Sequence, residues 1–319
     1  MYTKNELMTS FNELMSCSYK GVPGIRVVDS GNLGPVVGFT IFTHGNEPSG
    51  IAAYRYLQES RVMQKIKSGK LICCINNLEA AKKFFDAVDA DNEKKCRFLE
   101  INMNRLPEQS GSWLGDKRYE TQRAWSLLPI WKEFEAALDV HSTSQDSPPM
   151  LVMGDNVPPD HYRDFPISIM ITNIHHVQIG LPAYAFYGDS GGTPVFEIEA
   201  GQHTKEESFH RAARCIELYL QNLGLIEPEK KLLSEPKKQE LQVFEISGSV
   251  IAPDRSYVLV EVLKNFNFVS GGTVLANGSG DPLIMPWDGH VIFGPPEKKI
   301  AYQGEEVYFL SKPVKVVSF

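Results

Sequence analysis

His44 and Glu47 stand three residues apart in Thr43-His44-Gly45-Asn46-Glu47-Pro48, directly after an apolar run that begins at Val36. Such a run delivers both side chains onto a tight turn, where this spacing lets them point the same way. An imidazole and a carboxylate so placed suit a divalent metal, zinc above all. Taken alone, the pair also fits an ordinary polar turn. A catalytic zinc site of two His and one Glu requires a third protein ligand and leaves its fourth position to water. The leading candidate is His141, in Leu138-Asp139-Val140-His141-Ser142-Thr143. Asp139, two residues earlier and on the same side of a strand, is placed to brace His141 from behind.

These residues meet only if several buried strands bring them together. Val36 to Thr43 reads as a continuous apolar strand of the kind found inside a parallel sheet. Leu71 to Ile75 and Ala136 to His141 read the same way. Ile25–Asp29, Pro149–Met153, Ile167–Ile171 and Ala183–Tyr187 are shorter candidates, and Thr193 to Gly201 is the last. Helical periods cover Asn5–Met15, Ile51–Leu57, Glu79–Val88, Arg118–Trp131 and Glu206–Leu220, with Trp125, Leu128 and Trp131 expected in the core. Asp89–Lys95 reads as a charged surface loop. Alternating strands and helices predict an α/β fold with a mostly parallel central sheet flanked by helices. Residues 1–224 form this unit. A Lys-, Glu- and Pro-rich stretch, Glu227–Glu240, reads as a linker. Residues 241–319 then read as a smaller β domain, with short strands separated by Ser270-Gly271-Gly272, Asn277-Gly278 and Asp288-Gly289.

Composition narrows the function classes. The chain has 319 residues, 42% of them hydrophobic and 22% charged, and a formal charge of −7. That balance argues against a nucleic-acid or anionic-membrane surface. It also leaves any affinity for an acidic substrate to local arginines. No apolar run approaches the roughly 18–20 residues needed to span a bilayer. The polar N-terminus is not a secretory signal. Five cysteines in no metal-like spacing read as reduced thiols of a cytoplasmic protein.

His44-Gly45-Asn46-Glu47, then Asn104-Arg105, then Asp139 to Thr143, then Glu199-Ala200-Gly201 resemble the ordered motifs of the succinylglutamate desuccinylase/aspartoacylase family, relatives of the zinc carboxypeptidases. The resemblance implies a zinc carboxypeptidase-like fold and a zinc-dependent amidohydrolase. Such an enzyme removes the acyl group from a small N-acyl amino acid carrying a free carboxylate. It implies one Zn2+ per subunit on His44, Glu47 and His141, with Glu199 as general base. Arg97, eight residues before Arg105, would polarise the scissile carbonyl. Asn104 and Arg105 would grip a substrate carboxylate. Tyr302, from the C-terminal domain, would face the substrate, and that domain is expected to close over the site. One departure is the stretch Tyr187 to Gly192, which lacks the Arg that aspartoacylase carries there and so argues against N-acetylaspartate.

The chemistry also stands on the residues. Amide hydrolysis needs a nucleophile at neutral pH, and zinc lowers the pKa of its water to about 7. A carboxylate beside that water takes its proton and later passes it to the departing amine. Glu199 ends an apolar strand and is followed by Gly201, which leaves room for a ligand. Glu197 shares its face and is its rival, set aside on the Glu-x-Gly match. Arg97 has a competing account as a surface ion-pair residue near Glu100 and Glu108. His161, His175 and His176 read as solvated loop residues, His290 as a turn flank and His203 as a rim residue. Two other functions share the same motifs: a carboxypeptidase trimming short peptides, and an inactive protein that binds carboxylated ligands. The identity of the substrate and the oligomeric state, a homo-oligomer included, stay open.

Overall fold

The computed structural model of the protein describes residues 2–107, 115–180, 192–228, 240–300, 306–312 and 315–318. The apolar runs form strands Ile25–Asp29 (β1), Val36–Ile41 (β2), Lys70–Ile75 (β3), Ala136–Thr143 (β4), Met150–Met153 (β5), Ile169–Thr172 (β6) and Val195–Gln202 (β7). Glu240–Ile251 (β8), Phe268–Val269 (β9), Gly289–Ile292 (β10), Glu306–Ser311 (β11) and Lys315–Ser318 (β12) follow. Among the described residues these strands form one sheet in the order β9-β10-β11-β8-β6-β5-β7-β4-β2-β3-β1, with β12 also paired to β8. Its centre, β3-β2-β4-β7, is parallel as expected. The flanks mix directions, since β1 and β5 run antiparallel to β3 and β7.

Alternation along the central strands divides two cores. Leu71, Cys73 and Ile75 of β3 face one, Ile72 and Cys74 the other. The first core is closed by helices Lys4–Ser16 (α1), Ser49–Glu59 (α2), Leu78–Asp86 (α3) and, late in the chain, Glu206–Asn222. In α1, Leu7, Phe11 and Leu14 make the buried stripe, and Thr3 with Glu6 forms a capping box. Asp89–Lys95, expected as a loop, contains a short exposed helix, Ala90–Lys94 (α4), capped by Asp89. The second core is covered by Tyr119–Trp131 (α5). Trp131 and Leu128 are buried there, but Trp125 is 39% exposed, contrary to expectation. At 3.6 residues per turn the face holding Ala124, Leu127 and Trp131 turns Trp125 outward. The late helix Glu206–Asn222 is α6.

Residue Glu120 of α5 positions the segment leading into the site. Its buried carboxylate accepts the N–H groups of Leu99 (2.6 Å), Glu100 (3.2 Å) and Ile101 (3.2 Å) and the Asn77 side-chain amide (3.1 Å). Arg123, one turn on, donates to the carbonyls of Asn76, Ile75 and Pro23 at the end of β3.

The C-terminal strands extend the same sheet. The first half of β8 pairs in parallel with β6, and its second half pairs with β11. Phe244, Ile246, Ile292 and Phe309 share a core with Met150, Val152, Ile169 and Ile171. A separate three-stranded sheet of short strands lies beyond. The expected strand Ala183–Tyr187 and most of the expected linker Glu227–Glu240 lie outside the described residues. No cysteine is paired, and among the described residues no helix is long and apolar enough to cross a membrane.

Replacing Glu120 by Ala strands three backbone donors at once. The expected loss is about 3 kcal/mol or more of stability, read as a lowered denaturation midpoint. A change under about 1 kcal/mol would show that the 99–101 segment holds its shape without this carboxylate.

Candidate active site

The parallel register sets Thr40 beside Asp139, Asp139 beside Glu197, and His141 beside Glu199. Leu138, Val140, Phe196 and Ile198 enter the first core. Alternation turns Asp139, His141, Glu197 and Glu199 to the opposite face. All four are buried. A run of polar side chains thus lies across the C-terminal ends of β4 and β7.

The turn after β2 brings His44 and Glu47 to the same place. Phe42 adopts a left-handed φ of 54°, which bends the chain out of the strand. Gly45 packs so tightly that a Cβ there would lie 2.4 Å from Ala80 C and from Cys96 O. The Glu47 carboxylate sits between two imidazoles: Oε1 is 2.8 Å from His44 Nδ1 and Oε2 is 2.9 Å from His141 Nδ1. The far nitrogens are held from behind. His44 Nε2 lies 2.9 Å from Asn102 Oδ1, and His141 Nε2 lies 3.1 Å from Asp139 Oδ2. Asp139 in turn accepts the hydroxyls of Thr40 and Thr43, each at 2.7 Å. Asp139 thus stands where the sequence placed it, and Asn102 is its unanticipated counterpart behind His44.

This arrangement fits a divalent cation. One donor atom from each of His44, Glu47 and His141 falls within 4.8 Å of the others, and all three residues are buried. Both imidazoles present Nδ1 inward and are oriented through Nε2, as metal-binding histidines are. The protein groups alone make a strained set of charges. Burial, then Arg97, lowers His44 to about 4. Burial opposes charge on His141, but Asp139, Glu197 and Glu47 hold its pKa well above the usual value. Burial, followed by the Glu47 charge, pushes Glu199 well above the carboxylate range, and burial raises Glu197 to about 7. A cation is the one addition that relieves all of these at once.

A cavity of about 480 Å³ opens over these residues, lined also by Asn104, Arg105, His203 and residues of the C-terminal strands. Glu199 Oε2 is buried there with no hydrogen-bond partner. Glu197 faces the same cavity, with Oε1 3.3 Å from Asn104 Nδ2. Arg97 reaches inward, its Nη1 3.2 Å from Glu47 Oε1, so its partner is not Glu100 or Glu108. Arg105 is engaged by Glu306: Nε donates at 2.9 Å, and Nη2 lies 2.8 Å from the same oxygen. Tyr302 lies outside the described residues. His203 forms part of the wall, with Nδ1 2.9 Å from Ser142 Oγ. Gly201 does not leave room for a ligand; at φ 119° it lies at an irregularity in β7, where a Cβ would meet Ser208 Oγ at 2.7 Å. His175 and His176 form a separate group with Asp155. Asn102 and Glu306 carried no sequence signal beyond polarity, since each acts through a neighbour distant in the chain.

The fold and part of the sequence have known counterparts. The chain is 27% identical over 165 residues to a protein from Prochlorococcus marinus (strain MIT 9301) described as a probable aspartoacylase, covering 50% of this chain and 48% of that one. The match therefore spans about half the length of that relative. A succinylglutamate desuccinylase/aspartoacylase structure from Rhodobacter sphaeroides superposes with a TM-score of 0.61 at 19% identity, over 90% of this chain and 88% of the other. Succinylglutamate desuccinylase from Vibrio cholerae gives 0.65 at 14% identity, over 90% and 86%. These likenesses show the shared fold. The strands and turns that carry His44, Glu47, Asn104, Arg105, His141 and Glu199 all fall within residues 41–222, which match the succinylglutamate desuccinylase/aspartoacylase catalytic domain, and the chain belongs to that family.

Proposed function

We propose that the protein is a zinc-dependent amidohydrolase that cleaves the acyl group from a small N-acyl amino acid with a free carboxylate. The observation that carries this is Glu199 Oε2, buried and unpartnered at the cavity beside the His44–Glu47–His141 donors. His44, Glu47 and His141 would hold one zinc ion per chain. When bound, zinc supplies a water of pKa about 7 and a Lewis acid for the scissile carbonyl.

The remaining steps belong to the chain. Glu199 takes the proton of the attacking water and delivers it to the departing amine nitrogen. Its burial suits a base that must hold a proton between those two events. Arg97, a guanidinium at the cavity, stabilises the charge that develops on the carbonyl oxygen. Asn104 and Arg105 face the substrate's carboxylate side, and Tyr302 is assigned there by family resemblance alone. The C-terminal strands supply one wall of the cavity through Asn265, Phe293 and Phe309, which supports their closing the site around a small substrate. Five unpaired thiols and an acidic surface favour a cytoplasmic protein with no nucleic-acid or membrane partner. A homo-oligomer is compatible with this assignment.

Metal analysis of purified protein should find one zinc per chain, and its removal by a chelator should abolish hydrolysis of N-acyl amino acids. Glu199→Gln should keep the zinc and lose about 10²–10⁴ of the rate; turnover equal to wild type would remove Glu199 from the mechanism. Asp139→Asn should weaken zinc binding about 10–100-fold in competition with a chromophoric chelator, through loss of the brace on His141. Arg97→Ala should lower kcat by about 10²–10³ with zinc content unchanged.

A further inference from the structure

Arg105 lies at the cavity, where a substrate carboxylate would be expected, yet a carboxylate of the protein already occupies it. Nε donates to Glu306 Oε2 at 2.9 Å, and Nη2 lies 2.8 Å from the same atom. Nη1 donates to the Asn104 carbonyl (2.8 Å) and Gln178 Oε1 (3.1 Å), and the guanidinium lies over the Phe309 ring. Glu306 is equally fixed: its side chain is fully buried, and Oε1 accepts the Ile179 N–H at 2.6 Å. Displacing it would leave a buried carboxylate unpaired, a strongly unfavourable exchange. Across the cavity, Glu197 adds a second buried carboxylate, beside Asn104. Among the described residues lining the cavity, carboxylates outnumber guanidinium and ammonium groups.

We infer that Glu306 is a specificity-determining residue that neutralises Arg105 and restricts the enzyme to N-acyl derivatives of amino acids without a second carboxylate, those with cationic side chains being favoured. The inference rests on the hydrolase assignment for the reaction but on its own geometry for the choice of substrate. With Arg105 neutralised, a side-chain carboxylate would stand against Glu306 and Glu197 with no unshared guanidinium. An ammonium group in the same place would meet both acids. Like charge juxtaposed in this way acts as discrimination by repulsion.

The zinc-loaded enzyme should be assayed with N-acetyl-ornithine, N-acetyl-alanine and N-acetyl-aspartate, and binding of free ornithine, alanine and aspartate measured by calorimetry. Wild type should favour them in that order, with ornithine ahead of aspartate by about 10-fold or more, a factor in the range expected of a single charge pair. Glu306→Gln should narrow or invert the order through KM more than kcat, and Glu306→Asp should restore it. A wild-type preference for the aspartate compounds would overturn the inference, and so would an unchanged order in a folded Glu306→Gln protein. If Glu306→Gln fails to fold, the wild-type order decides by itself. Turnover of none of the three would count against the hydrolase assignment, while the binding order of the free amino acids would still support or overturn the choice of substrate.

Discussion

Burying several carboxylates and imidazoles on one face of a sheet is costly, and that cost organises the rest of the protein. An isolated ion moved from water into a protein interior loses several kcal/mol, about what a small domain has to spare in total. Glu47, Asp139, Glu197 and Glu199 are all buried within one neighbourhood, with His44 and His141 between them. Hydrogen bonds answer part of the cost: two threonine hydroxyls on Asp139, the Ser142 N–H on Glu47, and Asn104 on Glu197. The rest is left as opposed pKa displacements among neighbours and an unpartnered oxygen on Glu199. A set of this kind is stable only around positive charge, so the pattern of unmet demands is itself a description of the ligand.

Everything that holds the cluster together is rigid. Adjacent parallel strands fix the spacing of His141 and Glu199, because neighbours across a ladder lie roughly 4.8 Å apart. Glycine at position 45 lets the His44 turn sit against α3 and the Cys96 carbonyl. The segment bearing Asn102, Asn104 and Arg105 has little regular structure of its own. It is held instead by its contacts with the rest of the protein, Glu120 among them. The residues assigned to bond cleavage therefore sit mostly on sheet and tight turns, while those facing the rest of the substrate sit on connections.

That division separates chemistry from choice. The zinc-binding geometry belongs to strands β2 and β4, where a change in position of a few tenths of an ångström would disturb core packing on the other face. Arg105, Gln178 and Glu306 come from three separate parts of the chain that meet only at the cavity wall. Substrate preference can change there without touching the sheet. The continuity of β8 with both halves of the sheet gives the C-terminal strands a fixed position from which to supply that wall.

The sequence alone sufficed for what depends on short spacing. A His and a Glu three residues apart after an apolar run, a His and an Asp alternating on a strand, and two Glu two residues apart on another could each be assigned a direction. The periodicity of each segment fixes that direction before any packing occurs. The parallel centre of the sheet was legible for the same reason. Which acids and bases face one another was decided by tertiary structure. Asn102 behind His44, Glu120 beneath residues 99–101, and Glu306 on Arg105 join positions 58, 21 to 19, and 201 residues apart. No local pattern encodes such pairs, because a carboxylate's partner is set by strand register and by the path of the chain. The exposure of Trp125 and the role of Gly201 were misread for a related cause: phase against a neighbouring surface, rather than residue type, determines what a side chain meets.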